Sequence, residues 1–498
     1  MSFEELYQDA VTDMVRGELS SRVAKFIELE YDDERPTILV IPGGMGSQLM
    51  ATDSVLELPL EGRFPRASRI WIGLPELIRM YQGDYTFLKL DPKLNDEAQH
   101  AVYPNGAMGA DIGPLERKFS PYFAISKFSK DWANYLEFGY DWRKPARIAA
   151  QDLRWFLNQL RRHAKAQGKA NPLARLTLLA HSQGGHVVGI FLHELERSGE
   201  SANAWFDYVV SVAAPYYGCV DHINRYFAGP LRNIEKFIVT SIMLSRCRVH
   251  GDEGRAWSES ISRYRELAAS FAGLFHLCPA PRSILHDRVL ERLNLDRYPV
   301  RDSETGGDYD FLSKTSNWPW VRKYATTMRR MTVKRDFKAM NAFLPDEYAE
   351  RYFFARAYRK KTGKAHELVM QPPKELPEKL GGARPLKQYL DHFSPFDALD
   401  PDAEGEHDGV VAKWAAVPVW VPSSQILDIL GTDHRMSAGE QPFLERLKHL
   451  MESGSWFGEV QCDGTANSEG DLELDRKFSP QGDPNATLER LVKYAIAE

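Results

Sequence analysis

The stretch Leu176-Thr-Leu-Leu-Ala-His-Ser182-Gln-Gly-Gly-His-Val-Val-Gly189 decides how this chain is read. An apolar, β-prone run drives into a turn of the form small-x-Ser-x-Gly-Gly. It leaves as a segment whose apolar positions, Val187, Val188, Phe191, Leu192 and Leu195, recur at helical spacing. That is the pattern of a nucleophile elbow, in which a serine is held on a strained strand-to-helix turn with its hydroxyl exposed. The small neighbours have a steric task. Bulk at Ala180 or Gly184 would collide with the adjoining strand or helix, and Gly185 lets the helix lie close to the sheet. Ala180 stands where a first glycine is commoner. So short a pattern recurs by chance, and the strand before it and the helix after it are what give it weight.

Upstream, Thr37-Ile-Leu-Val-Ile41 is a buried-strand pattern running into Pro42-Gly-Gly-Met-Gly-Ser-Gln-Leu49. A glycine-rich turn after an early strand is where an α/β-hydrolase places one backbone donor of its oxyanion hole. A phosphate-binding loop is excluded there, because no Gly-Lys-Ser/Thr follows and the Gly-x-Gly-x-x-Gly spacing is absent. A long connection with scattered aromatics comes next and includes Trp71-Ile-Gly-Leu-Pro75. A helix is expected from near Phe123, carrying Trp132 and Tyr135. Phe138-Gly-Tyr-Asp-Trp-Arg-Lys-Pro145 and an amphipathic helix (Ala149, Leu153, Phe156, Leu157, Leu160) then lead into the elbow strand. Downstream, Tyr208 to Ala213 reads as a buried strand ending in Ala214-Pro-Tyr-Tyr-Gly218. Ser424 to Leu430 reads as the last core strand, and Leu444, Leu447 and Leu450 mark a closing helix.

The segment from Cys219 to Ala398 breaks this alternation. It is rich in aromatic and basic residues, among them Arg322, Lys323, Arg329, Arg330, Lys334, Arg335, Lys338, Arg356 and Arg359 to Lys361, with few clean strand patterns. The expected architecture is therefore α/β: an α/β-hydrolase fold with a mostly parallel sheet flanked by helices, a large, mainly helical cap insertion and a lid. The expected division is an N-terminal helical extension over 1–34 and a first core part with the lid loop over 35–218. A cap over 219–398, a second core part over 399–459 and an acidic tail over 460–498 follow. The extension carries one apolar stripe, Phe3, Leu6, Tyr7, Val11, Met14 and Val15, expected to end near Gly17 and to pack on the main domain.

An elbow serine needs a general base, and the base needs an orienting carboxylate; in this fold they follow in chain order, each in a loop after a core strand. His434 stands just after the final strand, and Asp408 precedes it with a glycine at its back. His181 adjoins the serine and is expected to point away, while His186 and His193 fall on the helix behind it. His392 and His407 lie before or beside the acid. Asp433 is the main rival acid, with Asp400 and Asp402 weaker ones. The candidate catalytic set is Ser182, Asp408 and His434.

Pro42-Gly-Gly-Met-Gly-Ser-Gln-Leu, Tyr140-Asp-Trp-Arg, the Ser182 elbow, Ala214-Pro-Tyr-Tyr-Gly and His407-Asp-Gly-Val-Val together resemble the lecithin:cholesterol acyltransferase family, with its phospholipase and phospholipid:diacylglycerol acyltransferase relatives. Gly273-Leu-Phe-His-Leu-Cys-Pro-Ala-Pro281 is similar to a cap motif of that family. The ordered motifs span Pro36 to Leu450. Two departures stand out: Gly44 where members carry a larger residue, and His-Asp-Gly-Val-Val in place of Gly-Asp-Gly-Thr-Val. The resemblance implies that Ser182, Asp408 and His434 form the triad and that the N–H groups of Met45 and Gln183 form the oxyanion hole. It also implies that Gly44 and Trp71 border the substrate, Trp71 in or near a mobile lid, and that the insertion shapes an acyl pocket. Tyr140 to Arg143 are expected to be structural.

The remaining features set bounds. A chain of 498 residues with net charge −6 gives no reason to expect nucleic acid as a partner. The N-terminal residues lack a basic segment followed by an apolar one, and no stretch is long and apolar enough to cross a bilayer, so a cytoplasmic location is expected. The four cysteines, Cys219, Cys247, Cys278 and Cys462, are widely separated, without zinc-ligand spacing. No metal or cofactor is called for. The leading function is a serine acyl hydrolase of lipase or phospholipase type, acting on lipid esters through an acyl-serine. The alternatives are acyl transfer to an alcohol and a non-catalytic binding module on the same fold. Peripheral contact of the basic run with an anionic membrane is a further expectation.

Overall fold

The computed structural model describes residues 16–17, 19–52, 67–71, 88–94, 102–107, 120–219, 222, 253–302, 304–314, 318–358, 368–370, 408, 410–457 and 471–473. Only the backbone is described at 67–71, 368–370, 471–473 and a few helical positions that include 329. The strands are β1 (Thr37–Ile41), β2 (Ser47–Thr52), β3 (Ala67–Trp71), β4 (Val102–Ala107), β5 (Asn134–Glu137), β6 (Leu176–His181) and β7 (Tyr208–Val212). They continue with β8 (Val300–Asp302), β9 (Tyr352–Tyr358), β10 (Leu368–Met370), β11 (Ile426–Leu430) and β12 (Asp471–Glu473). The helices that matter below are α1 (Pro121–Ser129), α2 (Ala146–Ala166), α3 (Gly184–Arg197), α4 (Glu253–Ser270), α5 (Thr327–Met340) and α6 (Gln441–Ser453).

Seven strands form one parallel sheet in the order β12-β11-β9-β7-β6-β1-β5. β1 and β6 are buried along their whole length, as parallel strands covered on both faces must be. Side chains alternate between the two faces, so Leu39, Ile41 and Leu178 join one core with α2 and α3, while Ile38, Val40 and Leu179 join another with α1 and α6. This three-layer α/β arrangement is the α/β-hydrolase architecture that the elbow pattern led us to expect.

Several elements differ from the expectation, each for a local reason. The helix expected to run through Trp132 and Tyr135 stops at Ser129, and Asn134 to Glu137 instead form β5, the edge of the main sheet. The 219–398 segment is not all cap: β9 lies inside it, paired with β7 and β11 in the sheet. Arg356 disguised that strand. It sits opposite Asp428 of β11 in the register, and its Nε and Nη2 donate to both carboxylate oxygens at 2.6 and 2.7 Å. A cation in a strand pattern reads as exposure, but here its partner strand supplies the counter-charge. The tail beyond 460 likewise adds β12 to the sheet edge. At the other end, helical residues continue past Gly17 to 29, with Leu19, Val23, Phe26 and Ile27 buried; the stripe from Phe3 to Val15 lies outside the described residues. Directly after the glycine-rich turn, β2 pairs with β3 and β4 in a small antiparallel sheet that had no sequence signal. Among the described residues, no helix is long and apolar enough to cross a membrane.

Candidate active site

Ser182 occupies the sharp turn between β6 and α3 with a φ of 52°, in the left-handed region that a side chain rarely adopts. Surrounding contacts hold it there: its N–H donates to the Val212 carbonyl at 2.9 Å, and its carbonyl accepts from Gly185 at 2.9 Å. The glycines have no spare room. A Cβ on Gly184 would fall 2.4 Å from the Ile41 carbonyl oxygen of β1, and one on Gly185 would fall 2.3 Å from Ala214 Cβ. The close approach of α3 to the sheet is thus set by the absence of these side chains.

His434 follows β11 and Asp408 precedes it in the chain, and the fold brings both to the serine. His434 Nδ1–H donates to Asp408 Oδ2 at 2.7 Å, which leaves Nε2 to accept from the Ser182 hydroxyl at 2.8 Å. The other Asp408 oxygen accepts from the N–H groups of Val410 and Val411 at 2.8 and 2.7 Å. Its carboxylate is therefore fixed as well as buried. A backbone bond from His434 N–H to the Asp408 carbonyl, at 2.9 Å, joins the two loops directly. Asp433, the rival acid, turns to the Met436 N–H of its own loop. Asp400, Asp402, His392 and His407 lie outside the described residues.

The glycine-rich turn lies against the elbow. A Cβ on Gly43 would meet Ser182 Cβ at 2.9 Å, and one on Gly44 would meet Gln183 Oε1 at 2.7 Å. Met45, like Ser182, has a left-handed φ, 64°. Gln183 is the N-cap residue of α3, at a helix start where backbone donors lack intrahelical partners. Its side chain is buried and donates through Nε2 to the Gly273 carbonyl at 2.8 Å. The Trp71 backbone pairs with Leu49, a few residues beyond Met45, and its side chain lies outside the described residues. The Tyr140 to Arg143 run supports this edge. Tyr140 donates to the Pro42 carbonyl at 2.9 Å, and buried Arg143 grips Asp141 and the Leu88 carbonyl.

One participant departs from the sequence reading. His181 does not point away: its Nε2–H donates to the His434 carbonyl at 2.9 Å. Its Nδ1 then accepts from the Tyr122 hydroxyl at 3.0 Å, and that oxygen accepts from the Gly43 N–H at 2.8 Å. A single chain of hydrogen bonds thus ties the glycine-rich turn, the elbow and the histidine loop together. Burial, with a smaller contribution from nearby His434, pushes His181 down to about 4, so it stays neutral, and burial raises the Tyr122 hydroxyl. Tyr122 had no signal in the sequence, because its partners come from segments far along the chain. Among the described residues no group of His, Cys, Asp and Glu is arranged to hold a metal ion.

Parallel sheet, elbow and hydrogen-bonded Ser–His–Asp set define the α/β-hydrolase class. Within it, residues 132–248, under a quarter of the chain, match the family model described as lecithin:cholesterol acyltransferase, and over that stretch the chain is similar to that family. No curated protein matches it. Among solved structures, the Tle4–Tli4 complex is similar at 12% identity over 84% of this chain and 99% of the other, with a TM-score of 0.47. Bacillus licheniformis lipase BlEst2 in its mature form is similar at 12% identity over 85% and 94%, with a TM-score of 0.29. Lipase 1 from Pelosinus fermentans is similar at 12% identity over 86% and 100%, also with a TM-score of 0.29.

Proposed function

We propose that this chain is a serine acyl hydrolase that cleaves lipid esters. The observation that carries the reading is the unbroken hydrogen-bond chain from Ser182 through His434 to Asp408, with the serine on a strained turn. In the proposed reaction, Ser182 Oγ attacks the ester carbonyl while His434 Nε2 takes its proton. Asp408 holds the imidazole in the required tautomer and stabilises its charged form. The carbonyl oxygen, now carrying negative charge, is received by the N–H groups of Met45 and Gln183, a stabilisation of about 3 kcal/mol per donor. Collapse expels the alcohol, which takes the proton from His434 and leaves an acyl-serine. Water then attacks the acyl carbon, giving its proton to His434, and the serine leaves with that proton as the carboxylic acid is released. Gly44 and Trp71 border the acyl group in this reading, and Gly44 leaves space where a side chain would press on Gln183.

Acyl transfer to an alcohol shares the first half-reaction and is favoured by the family match. Hydrolysis is the preferred outcome because water reaches any acyl-enzyme open to solvent, whereas an alcohol must outcompete it from a dedicated pocket. Partition of a labelled acyl group between free acid and new ester separates the two.

The test is a fluorophosphonate probe with Ser182→Ala and His434→Gln variants. Labelling and ester turnover should vanish in the first and fall by roughly four to six orders of magnitude in the second. Labelling that persists in Ser182→Ala, or an unreactive wild type with no turnover on short- or long-chain esters, overturns the reading and favours a binding module.

A further inference from the structure

The far half of α3 meets α2 and α5 around a cavity of about 730 Å³, well away from the serine. At 1.5 Å per residue, Arg197 lies about 20 Å along α3 from Gln183. Five cations line the cavity, Arg147, Arg154, Arg197, Arg335 and Lys338, against one carboxylate, Glu194. Two of the cations are committed. Arg147 pairs with Glu194 and donates to buried Asp336 at 2.7 Å, and Arg154 pairs with Glu200. Arg197, Arg335 and Lys338 are exposed and have no hydrogen bond or ion pair with any described residue.

The placement follows from the helices. On α5, Val333, Asp336, Phe337 and Met340 are buried, so the helix presents Lys334, Arg335 and Lys338 outward. Close packing of α5 against α3 brings Lys338 and Arg335 to the end of α3 that carries Arg197; a Cβ on Gly189 would stand 3.0 Å from Met340 Cβ. Two residues of the basic run, Arg335 and Lys338, therefore form one wall of a three-helix cleft on the flank of the sheet. Like charges crowded around one concavity repel, and their effect reaches His193, whose basicity is lowered by burial and by Arg197, Arg147 and Lys338.

We infer that this cleft is a binding site for a phosphate-bearing anion, held by Arg197, Arg335 and Lys338. Guanidinium groups match the tetrahedral oxygens of a phosphate in paired hydrogen bonds, and a lysine adds a mobile point charge. The cavity is larger than one phosphate and so has room for a second phosphoryl group or an organic body. A soluble phosphorylated compound and a phosphomonoester lipid headgroup present the same chemistry. The inference goes beyond the esterase reading and does not depend on it.

The experiment titrates inorganic pyrophosphate into the full chain by calorimetry, using both wild type and Ser182→Ala. The expected result is saturable one-site binding in both, weakened at least about tenfold in an Arg197→Gln/Arg335→Gln/Lys338→Gln variant. Because those side chains are exposed, the variant should keep the wild-type melting temperature. Lys448→Gln, a basic substitution outside the cleft, should leave binding unchanged. In the second arm, vesicles of phosphatidylcholine with phosphatidic acid are floated with the protein. Flotation that pyrophosphate competes away and the triple variant loses assigns a lipid headgroup. Pyrophosphate binding without flotation assigns a soluble ligand. The inference is overturned if neither probe binds, or if binding is undiminished in the triple variant.

Discussion

The two ends of α3 are built on opposite principles. At its start, Gly184 and Gly185 press against β1 and the Ala214 turn, and Ser182, Gln183 and His181 are buried in a mesh of hydrogen bonds. Near its end, Arg197 and the facing Arg335 and Lys338 stand exposed around an open cavity. The first end buys a fixed geometry through packing and carries almost no net charge. The second keeps its apolar face packed and accumulates charge on the side turned to solvent. One helix can therefore carry a tightly packed turn at one end and a charged surface at the other, because packing acts over ångströms and charge over a Debye length.

Substitutions at the packed end should have the largest effects. In Gly184→Val the new side chain collides with the Ile41 carbonyl, part of a strand buried on both faces that cannot retreat. We expect a loss of about 4 kcal/mol or more, read as a fall in the urea midpoint or as failure to recover folded protein. A loss as small as that expected of an exposed position would break the contrast between the two ends.

The buried histidines supply the next effect. His181 is pushed down to about 4 and His186 to about 3, mainly by burial, so the unfolded chain binds more protons than the native one below the ordinary histidine pKa. Stability is then complete above about pH 6.5 and falls as pH drops toward 4. By pH 4.5 His181 should account for about 2.5 kcal/mol, with His186 acting in the same direction. Urea titrations at pH 7 and 4.5 measure this, and a flat profile would contradict neutral, buried imidazoles.

The smallest effect sharpens the comparison most. Tyr122→Phe leaves the Gly43 N–H without its acceptor and His181 Nδ1 without its donor, at a cost of about 2 kcal/mol. If that cost falls on the geometry of the reacting groups, kcat should drop by roughly 30-fold with KM nearly unchanged. A lowered melting temperature with unaltered kcat would show that the tyrosine merely stabilises the fold.

What could be read beforehand was whatever a few adjacent residues fix by their own sterics and periodicity. The elbow, the flanking strands β1, β6, β7 and β11, and the helices α2, α3 and α6 each announce themselves within about twenty residues. The candidate set Ser182, Asp408 and His434 was legible from its order in the chain, from the strand patterns before Ser182 and His434, and from the family resemblance around Asp408. β5 was hidden because Trp132 and Tyr135 mimic a continued helical stripe, and β9 because Arg356 reads as exposed until Asp428 lies opposite it. Tyr122 and the role of His181 were hidden because their hydrogen bonds join residues 59 to 253 positions apart. The basic run that includes Arg335 and Lys338 was visible as charge, but that these two side chains face Arg197 across a cleft was decided only by the packing of α5 on α3. By itself, then, the sequence determined the class of fold and the candidate residues for the site. Tertiary structure alone decided which distant groups meet, because hydrogen bonds and counter-charges act across space, and only a folded chain brings their partners within about 3 Å.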